Sequence, residues 1–508
     1  MGKKREEREK EKKSRADPEC NLDGEFRSPI RSFQDLSVEN IRNALTNSRY
    51  LQILLSLTII GFILRFFNLG YNSLWLDEAS TYTFASMSLP GIWEATTGGE
   101  FNPPLFYWVE HLMLTFGNNE VILRFVPALL GVLTIPLVYL IGKEFIDRNV
   151  GIIAAAAFTF SPFLVFYSQE ARAYSMMLFF VALAMVVYLK ALKTDALTDW
   201  ALFGVFSALA FWSHFYGFVI IASLVLYALY VKIGRIREDI RNIKPIALAV
   251  VVFSLICLPL IIVTIQLFAK RTAGGPTFGL QGLGLIIQTF NQISGFSDLA
   301  MIILFVLFVV GIVQAFIIDR DKGVFLVSLT ILTFAISYFL SYRIPMQPRY
   351  LIFLSIIFFI GVAISYKPVF SLISNPGVIY GFIALMVLLS APTLAGYYSG
   401  YSKEDWRGFS TELGTMTKTG DYVVVLPGYV LQPLNYYYSN ATDGTLLFGV
   451  STADELDKIS LQKKNNTVYY IVTGDIMSAN PNGDALAWLK EHGKPLVQGN
   501  NMVIFTSG

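Results

Sequence analysis

The chain has 508 residues, of which 54% are hydrophobic and 15% charged, with a net charge of +2 and a mean hydropathy of +0.54. That balance excludes a soluble globular enzyme and offers no basic surface for nucleic acid, which leaves a polytopic membrane protein. Two cysteines, one in the N-terminal tail and one within an apolar run, form no disulfide framework, and three histidines leave little for a zinc cluster.

Residues 1–48 mix Lys, Arg and Glu with few large apolar residues and read as an unstructured basic tail. No secretory cleavage pattern precedes the first apolar run, which is expected to be a retained signal-anchor. A helix needs roughly 20 apolar residues to cross a hydrocarbon layer of about 30 Å. Eleven runs approach that length, near 50–69, 120–141, 150–166, 175–191, 198–213, 216–232, 246–267, 299–318, 324–340, 351–366 and 377–395.

Lys and Arg bias sets the orientation, because short connectors rich in them stay cytoplasmic. Residues 1–49 hold twelve of them, and the alternate connectors 142–149, 190–199, 232–244, 319–323 and 366–376 are basic. Between Phe66 and Leu123 there is none, while Asp77, Glu78, Glu94, Glu100, Glu110 and Glu120 all fall there. The expectation is a cytoplasmic N-terminus, a transmembrane domain over 49–395, and an extracytoplasmic C-terminal domain over 396–508.

Chemistry is sought where ionisable groups sit at the outer ends of spans, since charge near hydrocarbon is costly. Asp77 and Glu78 follow apolar Trp75 and Leu76, whose desolvation would raise carboxylate proton affinity toward that of a general base; the plain alternative is a solvated turn. Next, Pro103-Pro104 fix the chain before an aromatic, amphipathic helix that could lie in the interface, with Asn102 and Tyr107 beside it. Glu170, Arg172 and Tyr174 alternate along a short outer connector, so an extended stretch would aim them together. A salt bridge of Arg172 to Glu170 is the alternative there. His214 and Tyr216 occupy a tight hairpin near the membrane plane, where a lone histidine is more often a satisfied interior group than a base. Arg343, Arg349 and Tyr350 precede the tenth span, and guanidinium groups match phosphate oxygens in a bidentate fashion; snorkelling anchors are the alternative. Lys270 and Arg271 are weaker candidates of that kind, and the Gly-rich piece Gly279–Phe296 could lie on the bilayer as a cover.

From about Gly396 the pattern changes to alternating short helices and strands. Helices are expected at 403–418, 431–438, 453–461 and 484–491, and strands at Tyr422–Leu426, Leu446–Val450, Val468–Thr473 and Met502–Phe505, a small α/β layer. It has no phosphate-cradling glycine loop. Asn440 and Asn465 open Asn-X-Thr acceptor sequons.

A carboxylate pair, tyrosines and arginines at head-group depth are what transfer of a sugar from a lipid phosphate requires: an acid-base side to activate a hydroxyl, and a cationic side to stabilise the departing phosphate. Leu76-Asp77-Glu78, Asn102-Pro-Pro-Leu-Phe-Tyr107, Glu170-Ala-Arg-Ala-Tyr174, His214-Phe-Tyr216 and Pro348-Arg-Tyr350, in that order and sidedness, resemble the dolichyl-phosphate-mannose protein mannosyltransferase-like family. Its members are GT-C fold membrane glycosyltransferases related to the bacterial aminoarabinose lipid A transferase. The resemblance spans nearly all of 50–395, and the outer α/β domain is similar to one that many members append.

The resemblance implies a GT-C domain of about eleven transmembrane helices with interfacial helices in the first outer loop. It further implies inverting transfer from a polyprenyl- or dolichyl-phosphate sugar to a hydroxyl-bearing acceptor outside the cytoplasm. Asp77 would then act as the base or acceptor-orienting acid with Glu78 in support. Arg172 and Arg349, with Arg343, would hold the lipid phosphate. Asn102, Tyr107, Glu170, Tyr174, His214, Tyr216 and Tyr350 would shape the pocket. Many relatives carry a basic residue where this chain has Asn102, so phosphate neutralisation falls on the arginines. No cofactor is assigned, and a divalent cation is left open. Two other classes compete: a lipid-linked sugar flippase, which should show charges at the bilayer midplane and repeated halves, and a receptor or assembly subunit, in which the outer acids are dispensable.

Overall fold

A computed structural model describes residues 21–24, 37–100, 102–438, 444–463, 466–499 and 501–507. Cys20 and the sequon residues Asn440 and Asn465 lie outside them, as does most of the basic tail. Within that tail, where the composition suggests no structure, Val38–Asn47 forms a helix (α1) capped by the Ser37 hydroxyl.

Each of the eleven apolar runs is helical. They become α2 (Arg49–Phe66), α6 (Glu120–Phe145), the pair α7 (Arg148–Phe160) and α8 (Pro162–Ser168), α9 (Tyr174–Thr194), α10 (Leu197–Ser213), α11 (Gly217–Glu238), α12 (Lys244–Thr272), α14 (Asp298–Ile318), α15 (Arg320–Leu340), α16 (Leu354–Ile364) with α17 (Tyr366–Ile373), and α18 (Gly377–Tyr398). Among the described residues nine helical segments are long and apolar enough to cross a membrane, and ten with the bent pair α7–α8 as one span. The remaining run, α10, is a shorter apolar helix of 17 residues. The bend of 59° between α7 and α8 falls at Ser161-Pro162. Pro162 has no N–H to continue the ladder, and the Ser161 hydroxyl caps the new helix instead.

Three short helices occupy the first connector, as the paired prolines and acids suggest: α3 (Leu76–Ala85), α4 (Leu89–Gly98) and α5 (Pro104–Met113). A further amphipathic helix, α13 (Gly282–Ile293), fills the Gly-rich piece before α14. It is tied to the connector after α15: Gly282 N–H donates to Ser341 Oγ and Leu280 N–H to Met346 O.

Helix α7 is the axis of the bundle, buried from Asn149 to Thr159. Its run Ala154–Ala157 lets α2, α6, α16 and α18 pack around it, the small-residue contact that membrane helices favour. Glycine makes two crossings closer still. A Cβ on Gly142 would stand 2.7 Å from Gly151 Cα, and one on Gly311 would stand 1.8 Å from the Gly361 carbonyl oxygen. At one end of the bundle Lys193 pairs with Glu144 and Lys367 with Asp147, so three of the basic connectors meet there. The acidic connector lies at the other end, against the C-terminal domain.

That domain is a five-stranded sheet, β1 (Tyr422–Leu426), β2 (Leu446–Gly449), β3 (Val468–Thr473), β4 (Lys494–Gly499) and β5 (Met502–Ser507), in the order β2-β1-β3-β5-β4. β2, β1 and β3 are parallel; β5 and β4 are antiparallel. The period of two sends Val424 and Leu426 to one face, under α21 (Ala453–Gln462) and α23 (Asp484–His492), with the single-turn α22 (Ile476–Ala479) at its edge. It sends Val423 and Val425 to the other, under α19 (Trp406–Met416) and α20 (Leu431–Tyr438). Strand β4 was not foreseen. Lys494-Pro495 open it, and proline is tolerated there because β4 is the sheet edge.

Gly311→Leu is expected to destabilise the α14–α16 crossing by about 1–3 kcal/mol, the usual cost of overpacking. Gly381, which has open space where a Cβ would go, serves as control in thermal unfolding of detergent-solubilised protein: Gly381→Ala should leave the midpoint unchanged, and Gly311→Leu should lower it by several degrees.

Candidate active site

Asp77 and Glu78 stand in the first turn of α3, where carboxylates complement the unpaired N–H groups of a helix start. Successive helical residues point about 100° apart, and the two acids accordingly go to different places. Glu78 is wholly buried. Arg124 of α6 grips it with two bonds of 2.7 Å, Lys403 Nζ lies 3.1 Å from its other side, and the Ala171 N–H donates at 2.8 Å. Burial alone would raise this carboxyl, but Arg124 and Lys403 outweigh it and hold the pKa down to about 2. The expectation of a raised proton affinity beside Trp75 is therefore reversed for Glu78. It is a structural anion.

Asp77 turns toward the mouth, with its side chain 25% exposed. Its Oδ2 is faced by Arg349 Nη2 at 3.5 Å and by Arg172 Nε at 3.9 Å. Arg172 also donates to the Asp77 carbonyl at 3.2 Å. Arg349 comes from the short 3-10 turn Pro348–Leu351 and lies over the rings of Trp75, Tyr174 and Tyr350 at 5.4, 6.0 and 5.7 Å. Burial works against both guanidinium charges, yet Asp77 and the surrounding tyrosines raise both groups above their ordinary values, so they stay cationic. Each has a buried Nε without a hydrogen-bond partner. Two cations about one carboxylate, at distances longer than a tight ion pair, with donors to spare, suit an additional oxyanion.

Glu170 does not pair with Arg172. It is buried, takes Lys403 at 3.2 Å, and is raised above the usual carboxylate range by burial. Tyr174, His214, Tyr216 and Tyr350 form an aromatic wall behind the arginines: His214 lies 5.5 Å from Tyr174 and 5.4 Å from Tyr350, and Tyr216 stacks on Tyr350 at 4.8 Å. Burial, with Arg172 and Arg349 nearby, lowers His214 to about 3, so the ring is neutral and no general acid. Asn102 and Tyr107 both donate to Glu100 Oε1, at 2.6 and 2.9 Å, and line a narrow crevice with Arg172, Tyr174 and His214. Arg343 is exposed and takes no part in the cluster. Lys270 lies within the last turns of α12. No group of three or more His, Cys, Asp or Glu placed to hold a metal ion occurs among the described residues.

Sequence reasoning missed Arg124 and Lys403. Arg124 sits one residue beyond the Lys- and Arg-free stretch, inside a span, and Lys403 opens the C-terminal domain. More of that domain is bound to the site. Arg407 and Tyr437 both hold Glu120, the Tyr437 hydroxyl also accepts from Leu74 N–H at 2.7 Å, and Ser80 bonds Gln432.

Comparison with known proteins agrees with this architecture. Residues 102–262 match the family model described as Dolichyl-phosphate-mannose-protein mannosyltransferase. An uncharacterized protein of Aquifex aeolicus is 31% identical over 134 residues, which is 25% of this chain and 27% of that protein. Among solved structures, ArnT from Cupriavidus metallidurans bound to undecaprenyl phosphate superposes with a TM-score of 0.58 at 13% identity, over 89% of this chain and 97% of that one. The Archaeoglobus fulgidus oligosaccharyltransferase AglB, in complex with an inhibitory peptide and a dolichol-phosphate, superposes at 0.55 and 15% identity, over 91% and 75%. The likeness carries the fold, which is the GT-C architecture expected from the sequence, and the resemblance to the mannosyltransferase-like family is borne out.

Glu78 is held below the ordinary carboxylate pKa of 4.5, so its stabilising contribution is complete above that value and is lost as pH falls toward about 2. Glu78→Ala leaves Arg124 buried and unpaired and should cost about 3–5 kcal/mol. Thermal melts at pH 6 and pH 3 check both points: wild type should lose stability on acidification, and the variant should be destabilised at pH 6 with a smaller further loss at pH 3.

Proposed function

We propose that the protein is a membrane glycosyltransferase that moves a sugar from a polyprenyl- or dolichyl-phosphate donor to a hydroxyl acceptor on the extracytoplasmic side, with inversion. The observation that carries this reading is the convergence of Asp77, Arg172 and Arg349, from three distant parts of the chain, on one mouth. The match to the mannosyltransferase family and the GT-C fold support it, as does the Lys and Arg bias for the side of the membrane.

The donor phosphate enters between Arg172 and Arg349 and takes the donors that Asp77 engages only at 3.5–3.9 Å. That exchange releases the Asp77 carboxylate toward the acceptor. The acceptor oxygen attacks the anomeric carbon from the face opposite the phosphate. As that C–O bond forms, the bond to the phosphate oxygen breaks, its electron pair leaves with the lipid phosphate, and the hydroxyl proton passes to Asp77. The two guanidiniums neutralise the charge growing on the leaving group. The Trp75, Tyr174 and Tyr350 rings, which hold Arg349 in place, keep it dry and strengthen that attraction. No step is assigned to a metal ion, since the groups nearest Asp77 are cations.

Asp77→Asn should lower transfer roughly 10²–10⁴-fold, the range for loss of a general base, while leaving affinity for polyprenyl phosphate intact. Arg349→Ala should weaken that affinity about tenfold or more, as expected for a lost charge-assisted bond. Binding of undecaprenyl phosphate and turnover of its glycosylated form, measured on the purified proteins, check the two roles; unchanged transfer by Asp77→Asn removes the base.

A further inference from the structure

The C-terminal sheet does not face the site at random. Strands β2, β1 and β3 are parallel, with β1 in the middle. The link leaving β1 runs through α20 on one face, and the link leaving β3 runs through α22 and α23 on the other. The connections therefore diverge at the carboxyl ends of β1 and β3, the topological switch point where open α/β sheets bind ligands. Between β1 and β2 the same edge is closed: Gly428 and Gly449 are in such contact that a Cβ on Gly428 would meet Gly449 C at 2.8 Å.

The carboxyl end of β1 leads into the segment that packs on α3, the helix that carries Asp77. Beyond β1, Val430 and Leu434 share an apolar cluster with Leu76, the neighbour of Asp77, and Gln432 bonds Ser80 on α3. Tyr429 stands three residues past Leu426, and Asp475 three past Val472, its register partner on the adjacent strand. The two residues thus follow the carboxyl ends of neighbouring strands. Tyr429 is 46% exposed, Asp475 is exposed, and neither side chain makes a hydrogen bond or ion pair among the described residues. Partial burial and then the Asp77 charge raise the Asp475 carboxyl, and burial first, with Asp475 adding to it, raises Tyr429 and Glu404, so these groups lie near one another.

We infer that the carboxyl ends of β1 and β3, with Tyr429 and Asp475, form the acceptor subsite, and that the acceptor is an uncharged saccharide. This deepens, and rests on, the transferase reading above. An exposed tyrosine ring offers an apolar face to the C–H groups of a pyranose. A free carboxylate accepts strong bonds from hydroxyls beside it. Asp77, Glu404 and Asp475 together repel a phosphorylated or carboxylated acceptor, so the anionic donor and the neutral acceptor enter by opposite walls, the arginine side and the acidic side.

The test is ligand-observed saturation-transfer NMR on the full-length protein in nanodiscs, with the methyl glycosides of mannose, glucose, galactose and N-acetylglucosamine and no donor present. At least one glycoside should give a signal that falls fivefold or more in both Tyr429→Ala and Asp475→Asn. Undecaprenyl phosphate binding should be unchanged in these two variants and weakened in Arg349→Ala, so the subsite and the donor site can fail separately. The proposal is overturned if no glycoside binds wild type, if the signal survives in either variant, or if a Ser/Thr-rich peptide binds in their place.

Discussion

The ion pair of Glu78 with Arg124 is the constraint on which the rest of the site depends. A buried pair adds little net stability against an apolar replacement, because desolvation consumes most of the attraction, yet breaking it leaves a charge stranded in the interior. Its value here lies in register. Arg124 spends its remaining donors on the carbonyls of Leu69, Asn72 and Ser73, at 2.8–3.0 Å, and so fixes the turn from α2 into α3. Glu78 adds the Ala171 N–H, which fixes the loop carrying Arg172, and Lys403, which fixes the entry to the C-terminal domain. Four segments far apart in sequence are thereby held about one carboxylate, and Asp77 is aimed by the helix that this carboxylate anchors.

Two adjacent acids thus divide the work by geometry. The acid pointing inward is neutralised and immobile; the one pointing outward is faced by cations that do not close on it. On the proposed reading, group transfer from a phosphate needs this separation, since a base gripped in a tight bidentate pair would be too well stabilised to take a proton. Lys403 extends the network to Glu170, so that two carboxylates share one ammonium, and it contacts the rings of Trp75 and Phe166 at 5.6 Å each. The aromatic wall also sets the dielectric in which Arg349 acts.

Much of this was legible from hydrophobic runs and charge bias, because both are imposed by the bilayer and do not depend on tertiary detail. All eleven runs are helices, the paired prolines do start α5, and all eight expected elements of the C-terminal domain fall within a few residues of their places. What escaped needed long-range contact. Nothing local marks Arg124 as the partner of Glu78, 46 residues away, or Lys403 as that of Glu170. Local reasoning also gave Glu78 the wrong sign: burial beside Trp75 was visible, and the two cations that outweigh it were not. Arg343 and Arg349 look alike in sequence, and only the fold separates the exposed one from the one under Trp75. Strand β4 was hidden because Lys494 and Pro495 are unusual in a strand and are admitted only at an edge.

The C-terminal domain completes the site physically, whatever it binds. Tyr437 hydrogen-bonds Leu74, Asp405 takes the Ser73 hydroxyl at 3.2 Å, and the Ser402 N–H donates to Asn72 at 2.9 Å, all within the segment that turns into α3, while Tyr437 also holds Glu120 at the start of α6. A soluble appendage on a flexible tether would not spend so many part-buried bonds on one short loop. The cost of ordering that loop is met by contacts from two domains at once, so neither half presents Asp77 in this pose by itself. The arrangement of Asp77 with Arg172 and Arg349 is then a property of the docked pair, and anything that shifts the sheet against the bundle moves Asp77 relative to the two arginines. On the proposed reading, an acceptor seated at the carboxyl ends of β1 and β3 presses on that same contact, and its arrival reaches a carboxylate that otherwise rests between two arginines.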